Sequence, residues 1–415
     1  MENIKEKADY CLGCKVKPCK KGCPLDNDIT DFIKCTKENN YEEAYKIATQ
    51  TSVLQSVCGR ICPHMSQCEG SCIRGIKSSP VCIGDIEAFI GDKAIENHYA
   101  MCDIPQINKK INVAIIGSGP AGLTCAAFLA RRGVNVTIYE KYEKLGGILR
   151  HGIPEFRLPE DILDKNINLI LNLGIEVKTN KELGKNLNLK ELKNSYDAIF
   201  IAIGANISWK MQIPGEDING VYGGNELLEK ANHPDYTGKT VIVSGGGNVA
   251  MDCARTVKRL GAKSVKVVYR RAEEQMPAEK KEIEDAKKEG IEFLFQNNIL
   301  QIYGNNKVEE IECIKTELVK KEGDSRLSPV NIEGSNYKIK ADYVIMAIGS
   351  TVEKEVVDKL NLEFNQKGYI KVDENFETSE QNVFAGGDLI GTKATVAWAA
   401  KNGREAAKKI IEKLC

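Results

Sequence analysis

The sequence predicts an α/β protein: two doubly wound domains, the second inserted in the first, preceded by a small α-helical domain built around cysteine. Three observations predict it. An apolar strand, a glycine turn, an amphipathic helix and a second strand follow one another from Ile111, and the same order returns from Thr240, so a parallel βαβ unit occurs twice. Two strand-like runs with the same Ala-Ile-Gly ending, Ala198–Gly204 and Tyr343–Gly349, flank the second unit. Nine of the fifteen cysteines precede residue 73.

The 415 residues suffice for two or three separate cores. The 58 basic and 58 acidic residues cancel, so no overall field draws the chain to nucleic acid or to an anionic membrane. No run of 18 apolar residues occurs, and the opening MENIKEKADY is polar, unlike a secretory or transit peptide. A cytoplasmic protein is expected. In that compartment thiols stay reduced, and closely spaced cysteines read as metal ligands rather than disulfides.

Residues 1–108 read as the helical domain, with apolar residues at helical spacing over Ile29–Ala48, between two cysteine groups. The first doubly wound domain is expected over 109–237 and 346–415 and the inserted one over 238–345. The chain should leave and re-enter beside the Ala-Ile-Gly strands. The polar stretch Gly323–Asn336 reads as a surface loop.

The first cysteine group, Cys11, Cys14, Cys19 and Cys23 followed by Pro24, has the short spacings with which thiolates wrap an iron–sulfur cluster. The second, Cys58, Cys62, Cys68 and Cys72, supplies as many ligands again, with Gly59, Pro63 and Gly70 for tight turns. Together they suffice for two [4Fe-4S] clusters. Structural zinc calls for two Cys-x2-Cys hooks about 12–20 residues apart, and only the hook at Cys11 and Cys14 exists. The last cysteine of a ferredoxin run ligates the other cluster, so Cys23 is expected to cross over. Cys35, Cys82, Cys102, Cys125, Cys253, Cys313 and Cys415 stand alone and read as small hydrophobes.

Gly117, Gly119 and Gly122 of GSGPAG, with Pro120 and Ala121 between them, follow a strand and open a helix. In that context the glycines let backbone N–H groups and the helix N-terminus meet a pyrophosphate. Glu140 ends the next strand, where an acid accepts hydrogen bonds from a ribose with free hydroxyls and repels a 2′-phosphate; this suits FAD. Gly387 and Asp388 of FAGGD form a second FAD signature, and the segment Thr392–Trp398, including Thr395, starts a helix facing the flavin. The glycine- and proline-rich stretch Gly146–Pro159, with Gly147, His151 and Arg157, reads as a loop over the flavin. Gly245, Gly247, Asn248, Val249 and Ala250 form the other fingerprint, and its second strand ends in Arg270 and Arg271. Two guanidinium groups there can grip a 2′-phosphate, pointing to NADPH over NADH. The chain therefore reads as two doubly wound nucleotide-binding domains behind a small α-helical iron–sulfur domain. No paired cysteines follow either fingerprint, which argues against a disulfide reductase.

In this order, the double cysteine set, GSGPAG, GGILRHGIPEFRLP, GGGNVAMD, YRR and FAGGD resemble the small-subunit family of NADPH-dependent glutamate synthase along essentially the whole chain. The module is also similar to the electron-input half of dihydropyrimidine dehydrogenase and to the large subunit of the ferredoxin:NADP oxidoreductase. The resemblance implies that NADPH delivers hydride to FAD and that single electrons pass through two [4Fe-4S] clusters to a catalytic large subunit or a ferredoxin-like acceptor. Carried over residue by residue, it implies Cys23, Cys62, Cys68 and Cys72 around the distal cluster. Cys11, Cys14 and Cys19 would hold the one nearer FAD, completed by Glu87, where bottom-up reading alone points to Cys58.

Overall fold

The computed structural model describes residues 4–102, 110–230, 233–320 and 327–414. The expected boundary at 108, the loop start at Gly323 and the lone Cys415 lie outside the described residues. Two compact units form, Met1–Ala205 with Val352–Cys415, and Asn206–Thr351.

The first unit begins all-helical. The segment expected as one helix over Ile29–Ala48 is two, Ile29–Lys37 and Tyr41–Thr49. Asn39 adopts the left-handed conformation at φ 57, which ends the first helix. Asn40 then caps the second, its side chain accepting from the Glu43 N–H at 3.3 Å. Farther on, the helix Ile83–Asn97 buries Ile83, Ile86 and Ile90 on one face.

Five parallel strands follow in the spatial order Val383–Ala385, Ala198–Ile201, Asn112–Ile116, Asn135–Tyr139 and Glu176–Lys178. The inner strands are buried on both faces and accordingly read as apolar runs. One face carries Ile116, Ile199, Ile201 and Val383 in a core with Leu192 and Leu389. On the other, Val113, Ile115 and Phe200 belong to a core that also contains Phe32, Ile33, Val57, Ile86 and Ile90. The iron–sulfur helices and the sheet thus share one interior, each fully buried Ile or Phe contributing about 1.5–3 kcal/mol. Hydrogen bonds cross it. Asn166 Nδ2 donates to the Val53 carbonyl at 2.9 Å, Arg131 Nη1 to Thr49 at 2.6 Å, and Arg404 Nη1 to Leu25 at 2.7 Å and Thr51 at 3.0 Å.

The second unit has its own parallel sheet, ordered Val221–Gly223, Tyr343–Met346, Thr240–Ser244, Ser264–Tyr269, Glu292–Phe295. This corrects the expected boundaries. Tyr343–Met346 pairs between Thr240–Ser244 and Val221–Gly223, so it lies inside the inserted unit, and residues 206–237 and 346–351 belong with that unit too. The chain crosses instead at a two-stranded antiparallel ribbon, Ile207–Ser208 with Ser350–Thr351. Part of the stretch expected as a loop, Ser328–Asn331, is a strand against Glu310–Val319. Buried Arg255 holds helix Asn248–Arg259 to Lys280–Lys288 by pairing with Glu282 and, at 2.9 Å, with Glu289. Among the described residues no helix is long and apolar enough to cross a membrane.

Asn166→Leu should leave the Val53 carbonyl buried without its donor and cost about 1–3 kcal/mol. The check is a lowered urea midpoint at unchanged slope; an unchanged midpoint would mean that this bond contributes nothing to the shared interior.

Candidate functional site

The GSGPAG turn is shaped by two different demands. Gly117 sits at φ 99, and a Cβ there would stand 2.5 Å from the Ala202 carbonyl oxygen; the fold itself requires glycine. At Gly119 a Cβ would meet nothing within 4 Å, so only a ligand backed against the loop requires it. Pro120 opens the buried helix Pro120–Ala130 and Ala121 follows it inside. Gly122 and Gly147 lie so close to the turn that a Cβ would come 1.9 Å from Gly117 O and 2.8 Å from Gly119 Cα, respectively.

Ser118, passed over in the sequence reading, fixes this turn. Its N–H donates to Glu140 Oε2 at 3.1 Å, its hydroxyl donates to the same oxygen, and its Oγ accepts from the Gly146 N–H at 3.0 Å. Glu140 Oε1 accepts from the Tyr142 N–H at 3.0 Å. The acid expected to meet a ribose is 3% exposed, and burial raises its pKa above the ordinary carboxylate value. Its lone pairs are not exhausted by these bonds.

Asp388 has an orphan: Oδ1 is buried with no hydrogen-bond partner among the described residues, and burial lifts the carboxyl to about 6. A buried acceptor left open is costly unless a ligand supplies the donor. Its neighbour Gly387 donates its N–H to Asn402 Oδ1 at 3.2 Å, and Thr392 Oγ1 lies 3.1 Å from the same oxygen. Thr395 Oγ1 accepts from the Trp398 N–H at 3.4 Å, ahead of helix Val396–Leu414, and Gln67 Nε2 reaches it at 3.5 Å. In the glycine–proline loop Arg157 and His151 are half-buried, His151 against the Tyr142 ring at 4.0 Å between centroids. The side chain that anchors this loop is Arg150, whose Nε donates to Leu145 O at 2.7 Å and whose guanidinium pairs with Asp164.

In the inserted unit the second fingerprint turns at Gly245, φ 140, and Gly247 caps the helix begun by Asn248 and Val249. Asn248 Oδ1 accepts from the Glu279 N–H at 2.9 Å. Arg270 is exposed and Arg271 half-buried at the end of Ser264–Tyr269. Arg271 Nε donates to the Leu327 carbonyl at 3.2 Å, and among the described residues neither arginine has an acidic partner.

The cysteines sort into two sets that the resemblance did not anticipate. Cys11, Cys14, Cys19 and Cys72 line one apolar hollow with Ile29, Ile33 and Val81. Cys23, Cys62 and Cys68 lie instead within reach of Glu87: burial raises the pKa of Cys23 and Cys68, Cys58 and burial raise that of Cys62, and the Glu87 charge adds to all three. Cys72 and Glu87 therefore stand in each other's expected places. Gln67, beside Cys68, donates to Thr395 Oγ1 at 3.5 Å. Burial pushes the Cys19 thiol to about 11, and burial with Glu87 pushes Cys23 to about 12. Glu87 itself is 8% exposed and has no hydrogen-bond partner among the described residues, and burial alone lifts it to about 8. Buried Cys58 shares a thiol hydrogen bond with Cys62, the first cause of that thiol's raised pKa. Among the described residues no three Cys, His, Asp or Glu side chains close on one point as they would around a single ion.

These donors fit the two groups in question. Seven thiols with a buried carboxylate suit an iron–sulfur donor set, and the open face of Gly119 with the orphan of Asp388 fits a flavin dinucleotide. Residues 111–406 match the family model described as pyridine nucleotide-disulphide oxidoreductase, and residues 1–99 the one described as dihydropyrimidine dehydrogenase domain II, 4Fe-4S cluster. The glutamate synthase [NADPH] small chain of Escherichia coli is 37% identical over 98% of this chain and 90% of its own length. The NADP(+)-dependent formate dehydrogenase subunit beta of Moorella thermoacetica is 36% identical over 96% of this chain and 60% of that subunit. The solved structure of Mycobacterium tuberculosis FprA in complex with NADPH, 21% identical, covers 73% of this chain and 84% of its own at a TM-score of 0.65, a likeness of fold. With relatives this similar along nearly its whole length, the chain belongs to the glutamate synthase [NADPH] small-chain family.

Proposed function

We propose that this chain oxidises NADPH and hands the electrons, one at a time, to a partner: a catalytic large subunit or a ferredoxin-like acceptor. The observation that carries this reading is a dinucleotide cradle and two thiol sets built into one unit with one interior. FAD, when bound, supplies the conversion between a two-electron hydride donor and one-electron carriers, and two [4Fe-4S] clusters supply the carriers. The rest is done by side chains. Gly117, Gly119 and the N-terminus of Pro120–Ala130 receive the pyrophosphate, Glu140 the ribose, and Asp388 a hydroxyl or N–H of the flavin dinucleotide. Arg270 and Arg271 hold the 2′-phosphate of NADPH; NADH, lacking it, is the poorer donor. No acid or base is needed for hydride transfer, so positioning is the protein's contribution.

Cys23, Cys62, Cys68 and Glu87 hold the cluster nearer FAD, and Cys11, Cys14, Cys19 and Cys72 the outer one. Burial holds the Cys19, Cys23 and Cys68 thiols protonated, so loading iron there releases protons. The protein works in the cytoplasm, a reading in keeping with its described cysteines, all free.

Three measurements test the reading. Gly119→Ala should leave stability within about 0.5 kcal/mol yet weaken FAD binding at least about tenfold, or 1.4 kcal/mol, by titration of the deflavinated protein. Undiminished FAD affinity would empty the cradle of its role. Arg270→Ala with Arg271→Ala should raise the KM for NADPH about 100-fold or more, each guanidinium's charged hydrogen bond contributing about 1.5–3 kcal/mol, while barely moving that for NADH. Equal losses for the two donors would defeat the phosphate clamp. Finally, Cys72→Ser and Cys68→Ser should each remove about half the iron and eliminate different EPR signals. In that experiment Cys11→Ser should reproduce the loss of Cys72→Ser; matching Cys68→Ser instead would overturn the assignment.

A further inference from the structure

The outer thiol set opens onto a surface of unusual composition. Cys11, Leu12, Cys14 and Pro18 line the same hollow as Cys72, Ile73 and Arg74, so the segments 11–21 and 72–77 meet there. Tyr10 locks them together: its carbonyl accepts from Arg74 Nε at 2.9 Å, its hydroxyl bonds Ser78 Oγ at 2.8 Å, and the Arg74 guanidinium lies 4.0 Å above its ring. In these two segments Leu12 and Ile73, both in the lining, are 56% and 39% exposed, and Val16 and Ile76, a few residues along, are 67% and 77% exposed. Single exposed apolar side chains are ordinary; several gathered about one site mark a surface that another molecule covers.

The charge is equally one-sided. No acidic residue occurs in 10–25 or in 70–84, while these stretches hold Lys15, Lys17, Lys20, Lys21, Arg74 and Lys77. Lys17 and Lys20 are neutralised by Asp28 and Asp31, at 2.6–3.2 Å. Lys15, Lys21 and Lys77 are exposed and have no ion pair among the described residues. Apolar side chains with free cations alongside form the pattern of a protein interface with a charged rim, in a chain whose total charge is zero. The deeper set, with Cys62 at 8% and Cys68 at 5% exposure, offers no comparable surface.

We propose that this face docks an acidic one-electron carrier protein, seating its apolar contact on Leu12, Val16, Ile73 and Ile76 while Lys15, Lys21 and Lys77 steer its carboxylates. The inference rests on the electron route proposed above. One NADPH loses a hydride and becomes NADP+; two carrier molecules each gain one electron, and one proton is released. Electrostatic steering of this kind raises association rates about 10–1,000-fold and weakens with salt.

The test uses the anaerobically purified holoprotein, an acidic [2Fe-2S] ferredoxin as probe and basic cytochrome c as its counterpart. Ferredoxin reduction by NADPH should fall at least about tenfold in kcat/KM as salt rises through the screening range, and cytochrome c reduction should not fall with it. Lys15→Glu, Lys21→Glu and Lys77→Glu together should lower ferredoxin kcat/KM by a similar factor at low salt. NADPH should still bleach the iron–sulfur absorption of that variant. Ile76→Ser should raise the KM for ferredoxin about threefold or more with the salt dependence retained, one methylene-scale contact contributing about 0.8 kcal/mol. A salt-independent ferredoxin rate, or a charge-reversed protein as fast as the parent, overturns the docking face. If the triple variant fails to fold, the salt series on the unaltered protein decides alone. Failure of NADPH to bleach the unaltered holoprotein overturns the electron route instead.

Discussion

Electron transfer between fixed centres falls steeply with distance, so the constraint on which this molecule depends is the shared interior of its helical region and first sheet. Phe32, Val57 and Ile90 on one side and Val113, Ile115 and Phe200 on the other belong to a single apolar core. Two domains joined by an ordinary polar interface would be expected to move. Here movement would expose large side chains and strip the Leu25, Thr49, Thr51 and Val53 carbonyls of the donors that Arg404, Arg131 and Asn166 bring. The donors are long or amide side chains rather than backbone, so the join is side-chain chemistry set into an apolar interior, where each unmade bond is costly.

The dinucleotide cradle is organised by the same logic at smaller scale. Glu140 gathers the Ser118 N–H, the Ser118 hydroxyl and the Tyr142 N–H, and Ser118 in turn receives the Gly146 N–H. One buried carboxylate thereby ties the fingerprint turn, the strand end and the glycine–proline loop into a single piece. Burial alone would favour the neutral acid; the three donors oppose it, which is how a buried carboxyl is kept useful.

Much of this was legible in the sequence, and the parts that were not share a cause. Glycine spacing and cysteine spacing are local, and GSGPAG, GGGNVA and the two cysteine groups each imply their chemistry from a few adjacent residues. Sorting the cysteines is not local: Cys72 joins Cys11 because Tyr10 and Arg74 fasten one loop to the other, and Glu87 reaches Cys23 from a helix sixty residues onward. The domain boundary failed for a related reason. Ala198–Gly204 and Tyr343–Gly349 share an ending, yet one strand lies in each sheet, and nothing in either string states its neighbour.

The matched pyridine nucleotide-disulphide model raises the question of where electrons go in a chain without a paired thiol beside either fingerprint. Cys125 and Cys253 are fully buried in their helices and Cys313 in its strand, where a thiolate is disfavoured and, among the described residues, every cysteine is free. An exit through the cysteines of either nucleotide-binding domain is therefore closed. What the chain has instead is a helical domain fused to the sheet's core, rich in thiols, with its deeper set adjoining Thr395 and its outer set at the surface. On the electron route proposed above, the outlet lies in a relay rather than in a side chain beside the flavin, and a relay works only if its members cannot drift. The rigid join between the two regions is thus the structural counterpart of the missing disulfide.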